Sequence, residues 1–185
     1  VAPSPQRAAK SSQGAWKNCA PGVRFRLSAP IALQGGLLLV ELRSARPLDN
    51  LRADWSGQDV EFWRPDARFE TRRALLGVDL ERPEGKYNLS VQADAGGSPL
   101  TCSAAVTVRA GRFPTERLQV EPKFVEPSPE ELKRAQEERE HLRAIFATVT
   151  PERLWQGLFR IPLDGVTTGG NFGRRRILNG LPRSP

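Results

Sequence analysis

Methionine is absent from the 185 residues, histidine occurs once and cysteine twice. Without Met, Val1 is not a translation start, and the chain is expected to be a processed or excised piece. Its opening, Val1-Ala2-Pro3-Ser4-Pro5, reads like the residues that follow a removed signal peptide. A lone histidine, His141, cannot supply a pair of imidazole ligands. A Ser/His/Asp triad would have to draw on that one side chain, which sits among charged neighbours, so it is expected to be a surface residue. There is no Cys-x-x-Cys and no P-loop, and the glycine-rich Gly169-Gly170-Asn171-Phe172-Gly173 lacks the lysine that a phosphate cradle needs. Long apolar runs are missing too. The longest is Leu37-Leu38-Leu39-Val40, against the ~20 residues of a membrane helix, so no membrane span is expected.

What is abundant is positive charge: 28 Lys and Arg against 21 Asp and Glu, a net +7. The excess lies at the ends, because all 21 acids fall between positions 28 and 164. The near-neutral middle shows no clustered basic stretch of the kind a nucleic-acid face requires, so no nucleic-acid partner is expected. The basic ends either meet polyanions, cell-wall polymers among them, or simply aid solubility. Cys19 and Cys102 are either two free thiols or, in an exported protein, a disulfide. That bridge would restrict the unfolded chain by roughly 4–5 kcal/mol in the loop-entropy model.

Residues 1–20 are small, polar and aperiodic, and read as a flexible leader. From 21 to 111 the pattern becomes short alternating runs separated by turn residues. Val23–Leu27, Leu37–Leu42, Leu51–Trp55, Val60–Trp63, Ala74–Leu80, Tyr87–Val91 and Cys102–Val108 are the expected strands. Such a series without helical periodicity predicts an immunoglobulin-like antiparallel β-sandwich, with Trp55, Trp63 and Tyr87 in or near its core. Sugar stacking is the alternative for one Trp.

Residues 112–127 form a proline-rich connector. A helix is predicted over 128–149, with Ser128 as its cap, Pro129 at its first position and Glu131 closing a capping box. Leu132, Ala135, Leu142, Ile145, Phe146 and Val149 make a stripe that should dock, while the pairs Glu130–Arg134 and Lys133–Glu137 support the other side. Residues 150–185 read as the start of a second β domain: a short helix start at Thr150–Leu154, an edge strand at Leu158–Leu163, and a hairpin turn at Asn179-Gly180. The fold class is therefore mainly β with one capped amphipathic helix.

The run Phe172-Gly173-Arg174-Arg175-Arg176 and the approach through Asn179-Gly180 to Pro182-Arg183-Ser184-Pro185 resemble the lead-in to the catalytic domain of lysostaphin-like (LytM-type) zinc metallo-endopeptidases. In that family such a segment runs into a His-x-x-x-Asp zinc motif, and a later His-x-His supplies another ligand and a base. The resemblance implies a parent enzyme that hydrolyses the peptide cross-links of peptidoglycan with zinc, exported to the periplasm or cell envelope, with this chain as its N-terminal accessory region. The zinc ligands are not in this chain, which is expected to bind no zinc and to be inactive alone. Phe172, Arg174, Arg175 and Asn179 would line part of the substrate groove. Two other readings stand beside it: a zinc-less relative that activates cell-wall amidases, and an independent β-sandwich binding module.

Overall fold

A computed structural model describes residues 14–65, 70–121, 127–148, 150, 154–155, 157 and 172–183. The chain divides into two units after Gly111. The first is a β-sandwich. One sheet has the order β1 (Lys17–Ala20), β2 (Val23–Leu27), β4 (Leu37–Ser44), β6 (Glu70–Gly77), all antiparallel. The other has the order β3 (Ile31–Leu33), β8 (Ser98–Arg109), β7 (Gly85–Ala95), β5 (Leu48–Trp55), with only β3 running parallel to its neighbour.

The two-residue period builds this core. Val23, Phe25 and Leu27 of β2 point inward with Val40 and Leu42 of β4, and meet Trp55, Leu89, Val91, Val106 and Val108 from the other sheet. The Arg24 and Arg26 that alternate with them in β2 are turned outward. The chain changes sheets between β2 and β3, where the Pro30 carbonyl accepts from the Thr107 N–H. Gly96 and Gly97, both at positive φ, close the tight β7–β8 hairpin.

The arrangement is immunoglobulin-like in detail. Trp55 is buried on β5, and the Tyr87 hydroxyl at the start of β7 donates back to the Pro83 carbonyl at 2.7 Å, the tyrosine-corner bond of such sandwiches. Two residues after that Tyr, where an antibody domain has its second cysteine, stands the fully buried Leu89. The covalent link lies elsewhere: Cys19 of β1 and Cys102 of β8 form a disulfide joining the two sheets.

Several expectations change. The leader assigned to 1–20 is not all leader: its end is strand β1, pinned by Cys19, with Trp16 lying against neighbouring side chains. Val60–Trp63 is not a full strand but is held by two isolated points, Val60 bonding to Ala53 and Trp63 pairing with Arg73. Pro65 stands two residues after Trp63, and a residue without an N–H cannot continue a ladder.

In the second unit, the connector of 112–127 contains a strand, β9 (Thr115–Leu118). It pairs in parallel with β10 (Arg175–Leu178), which turns through Asn179-Gly180 into antiparallel β11 (Leu181–Arg183). Helix α1 (Pro129–Phe146) starts at the expected capping box. None of its described side chains is buried, so Leu132, Leu142, Ile145 and Phe146 form an exposed stripe rather than a docked one. Arg134 turns toward Glu138, at 2.9 Å, instead of back to Glu130, while Lys133 and Glu137 stand 3.9 Å apart. Residues 151–153 and 158–163, assigned to a helix start and an edge strand, lie outside the described residues, as does Val149. No described helix is long and apolar enough to cross a membrane.

Candidate functional site

The outward face of the first sheet concentrates arginine. Register places Arg26 of β2 opposite Glu41 of β4, Glu41 opposite Arg73 of β6, and Arg24 of β2 opposite Arg43 of β4. Glu41 is therefore flanked on both sides. The Arg26 guanidinium bonds one carboxylate oxygen, and Arg73 Nε donates to the other at 2.8 Å. Although it is on the outer face, Glu41 is only 2% exposed. Burial pushes its carboxyl pKa up, but the hydrogen bonds and charges of Arg26 and Arg73 outweigh that and hold it below its ordinary 4.5.

Trp16, just before β1, lies over the same face. The guanidinium carbons of Arg26, Arg43 and Arg24 stand 4.5, 4.7 and 5.9 Å from its ring centroid, all within cation–π range. Arg24 and Arg43 are exposed, and neither has an acidic partner among the described residues. The arrangement offers guanidinium donors to an anion. The expectation that no basic cluster would form is thus corrected. Arginines spread from 24 to 73 converge on one surface because strands distant in sequence are neighbours in the sheet.

Arg24 and Arg26 could be read from the sequence as outward residues of an alternating strand. Their convergence with Arg43 and Arg73 could not, because it depends on the β2–β4–β6 register. Trp16 was hidden by the aperiodic residues around it.

A second cluster lies at the tyrosine corner, where the Arg82 guanidinium stands 5.4 Å from the Trp55 ring centroid and 5.1 Å from that of Tyr87. Trp55 is 1% exposed, which removes it as a sugar-stacking platform.

The residues assigned to a substrate groove have separate partners in the second unit. Phe172 is exposed at 66% and meets Phe113 edge-on at 6.2 Å. Gly173, at φ +69, admits no side chain because the Phe113 ring fills the space a Cβ would take. Arg174 stands 3.3 Å and Arg176 3.9 Å from the Glu116 carboxylate on β9, while Arg175, on the opposite side of β10, is exposed. Asn179 is committed to structure. At φ 49 it opens the hairpin turn, its Oδ1 accepts from the Val120 N–H and its Nδ2 donates to the Val120 carbonyl, both at 2.9 Å.

His141 is on exposed α1, and among the described residues no three His, Cys, Asp or Glu side chains gather where they could hold a metal ion.

No family model matches this chain, and no curated protein matches it. Among solved structures, a polysaccharide lyase aligns at 18% identity and TM-score 0.39, over 49% of this chain and 12% of the lyase. A titin–obscurin-like 1 Ig complex aligns at 20% identity and TM-score 0.30, over 44% of this chain and 86% of that one. This chain thus spans about an eighth of the lyase's length. At these scores the likenesses carry no argument about function.

Proposed function

We propose that this chain is the N-terminal, non-catalytic part of an exported zinc metallo-endopeptidase that cuts the peptide cross-links of peptidoglycan. In this reading the sandwich positions or restrains the catalytic domain. The observation that carries it is the stretch from Phe172 to Pro185. Its sequence resembles the family's lead-in, and its described part is a glycine held against Phe113 followed by a β10–β11 hairpin turning at Asn179-Gly180. The Cys19–Cys102 bridge is compatible with an oxidising compartment such as the periplasm. The reading assigns the zinc ligands to residues following Pro185.

The test is the sequence of the gene beyond the Pro185 codon, together with release of soluble fragments from purified sacculi by the full product, with and without a chelator. His and Asp at zinc spacing and chelator-sensitive release are expected. A continuation lacking them, or release that chelation leaves unchanged, rejects the assignment. A second reading, an independent binding module, is favoured by the Trp16–arginine face. Its signature is sacculus binding by the full product with no hydrolysis at all.

A further inference from the structure

We propose that the outward face of the β1-β2-β4-β6 sheet is a carboxylate-binding surface, with Arg24 and Arg43 as its contacting pair, and that its occupant is the peptidoglycan mesh, engaged through the carboxylates of its peptide stems. The choice of occupant rests on the function proposed above; the anion-binding character of the face does not.

Three features of the face argue for it. First, Arg24 and Arg43 are directly opposite across the β2–β4 ladder. Like charges so placed destabilise a sheet, whereas two register positions further along, on the same face, Arg26 faces Glu41 and is neutralised. An uncompensated pair beside a compensated one leaves two guanidinium groups available to an external anion.

Second, the pair is preorganised. Both guanidinium groups lie within cation–π range of Trp16, which limits their rotamers and leaves their N–H edges to form forked hydrogen bonds with a carboxylate. Trp16 is in turn anchored, because Cys19, three residues on, is bonded covalently to Cys102 of β8.

Third, the only acid on the face that is both described and buried among these arginines, Glu41, already bridges Arg26 and Arg73, so it does not reach across to quench the other two. The face keeps a positive excess, and peptidoglycan stem peptides supply the complementary charge in a repeating array, which suits a surface rather than a pocket.

The experiment is co-sedimentation of the whole chain with purified sacculi at low and high salt. Its arms are sacculi with amidated carboxylates, heparin beads and anionic lipid vesicles. Wild type should sediment with native sacculi and be released by salt. Arg24→Ser/Arg43→Ser should weaken binding at least about tenfold, the scale of one charge-assisted hydrogen bond, and amidated sacculi should bind wild type no better than native sacculi bind that variant. Arg139→Ser/Arg143→Ser, which removes the same charge from α1, should bind like wild type. Arg24→Glu sets a carboxylate opposite Arg43, so it should unfold at or above the wild-type temperature while losing sacculus binding.

Equal losses in the two double variants would reduce the effect to net charge and overturn the proposal. So would full binding of amidated sacculi, tighter Arg24- and Arg43-dependent binding to heparin or vesicles than to sacculi, or an Arg24→Glu chain that is less stable yet still binds. The two readings fail separately. Chelator-sensitive hydrolysis by the full gene product without arginine-dependent binding removes this inference alone, and arginine-dependent binding without hydrolysis removes the endopeptidase assignment alone.

Discussion

The Tyr87 hydroxyl donates to the Pro83 carbonyl at 2.7 Å and so ties the start of β7 to the turn before it. The same ring lies 5.8 Å from Trp55, against the wall of the core beside Leu89. One side chain thus does two separable things. Tyr87→Phe keeps the ring and deletes only the hydrogen bond, so unfolding in urea should show a loss of about 1 kcal/mol. Tyr87→Ala removes the packing as well and should cost about 3 kcal/mol. Equal losses would show that the ring contributes nothing beyond its hydroxyl.

The bridge between Cys19 and Cys102 spans a sequence separation of 83 and joins the two sheets at a point where no backbone ladder does. Its removal frees a long loop in the unfolded chain. Cys19→Ala/Cys102→Ala should therefore be less stable by about 4 kcal/mol on the loop-entropy model. Mass measurement with and without reductant, after alkylation, should report one disulfide in wild type and none in the variant. Unchanged stability in the variant would show that β1 is held by its ladder to β2 alone.

Elements dominated by local pattern were legible in the sequence. Val23–Leu27 alternates apolar with basic residues because one face is core and the other solvent, and β8 keeps the same period from Leu100 to Val108. The start of α1 was legible because Ser128, Pro129 and Glu131 satisfy its first N–H groups within one turn. Strands β1, β3 and β9 were not. Each has three or four residues at a sheet edge and exists because of a partner that local sequence does not reveal: β3 against β8, and β9 against the distant β10. The candidate site failed to show for the same reason. Glu41 interrupts an apolar run, and only the three-strand register explains why an acid is buried there. Asn179-Gly180 announced a turn, but the bond from Asn179 to Val120 needs β9 in place.

That bond makes Asn179 a measurable clasp. Its amide satisfies both backbone groups of Val120, just past the end of β9, while its backbone opens the β10–β11 turn. Asn179→Ala should raise hydrogen exchange at the Val120 amide and destabilise the three-stranded sheet by about 1–2 kcal/mol, through lost hydrogen bonds and a positive φ that Ala tolerates poorly. Asn179→Asp retains the acceptor but presents a second oxygen to the Val120 carbonyl, so its amide should exchange at an intermediate rate. Exchange identical to wild type in both variants would place the stability of this sheet in its ladders alone.

Glu41 sets the acid response of the sandwich. Its carboxyl is held below the ordinary 4.5, so the ionised form is favoured more strongly in the folded than in the unfolded chain. That contribution is fully present above 4.5 and is lost as the pH falls below it, through the lowered value of the folded state. Glu41→Gln removes the charge but keeps the shape. Breaking a fully buried ion pair costs about 3–5 kcal/mol. Here the Arg73 side chain is 39% exposed and can recover hydration, so about 2 kcal/mol is expected at neutral pH. The decisive quantity is the difference between wild type and variant, measured by urea unfolding across a pH series. It should shrink as the pH drops below 4.5, because the wild-type carboxyl then takes up the proton and comes to resemble the amide. A difference that stays constant into acid would mean that Glu41 stabilises the sheet by packing and neutral hydrogen bonds, and that the charges of Arg26 and Arg73 are carried by solvent.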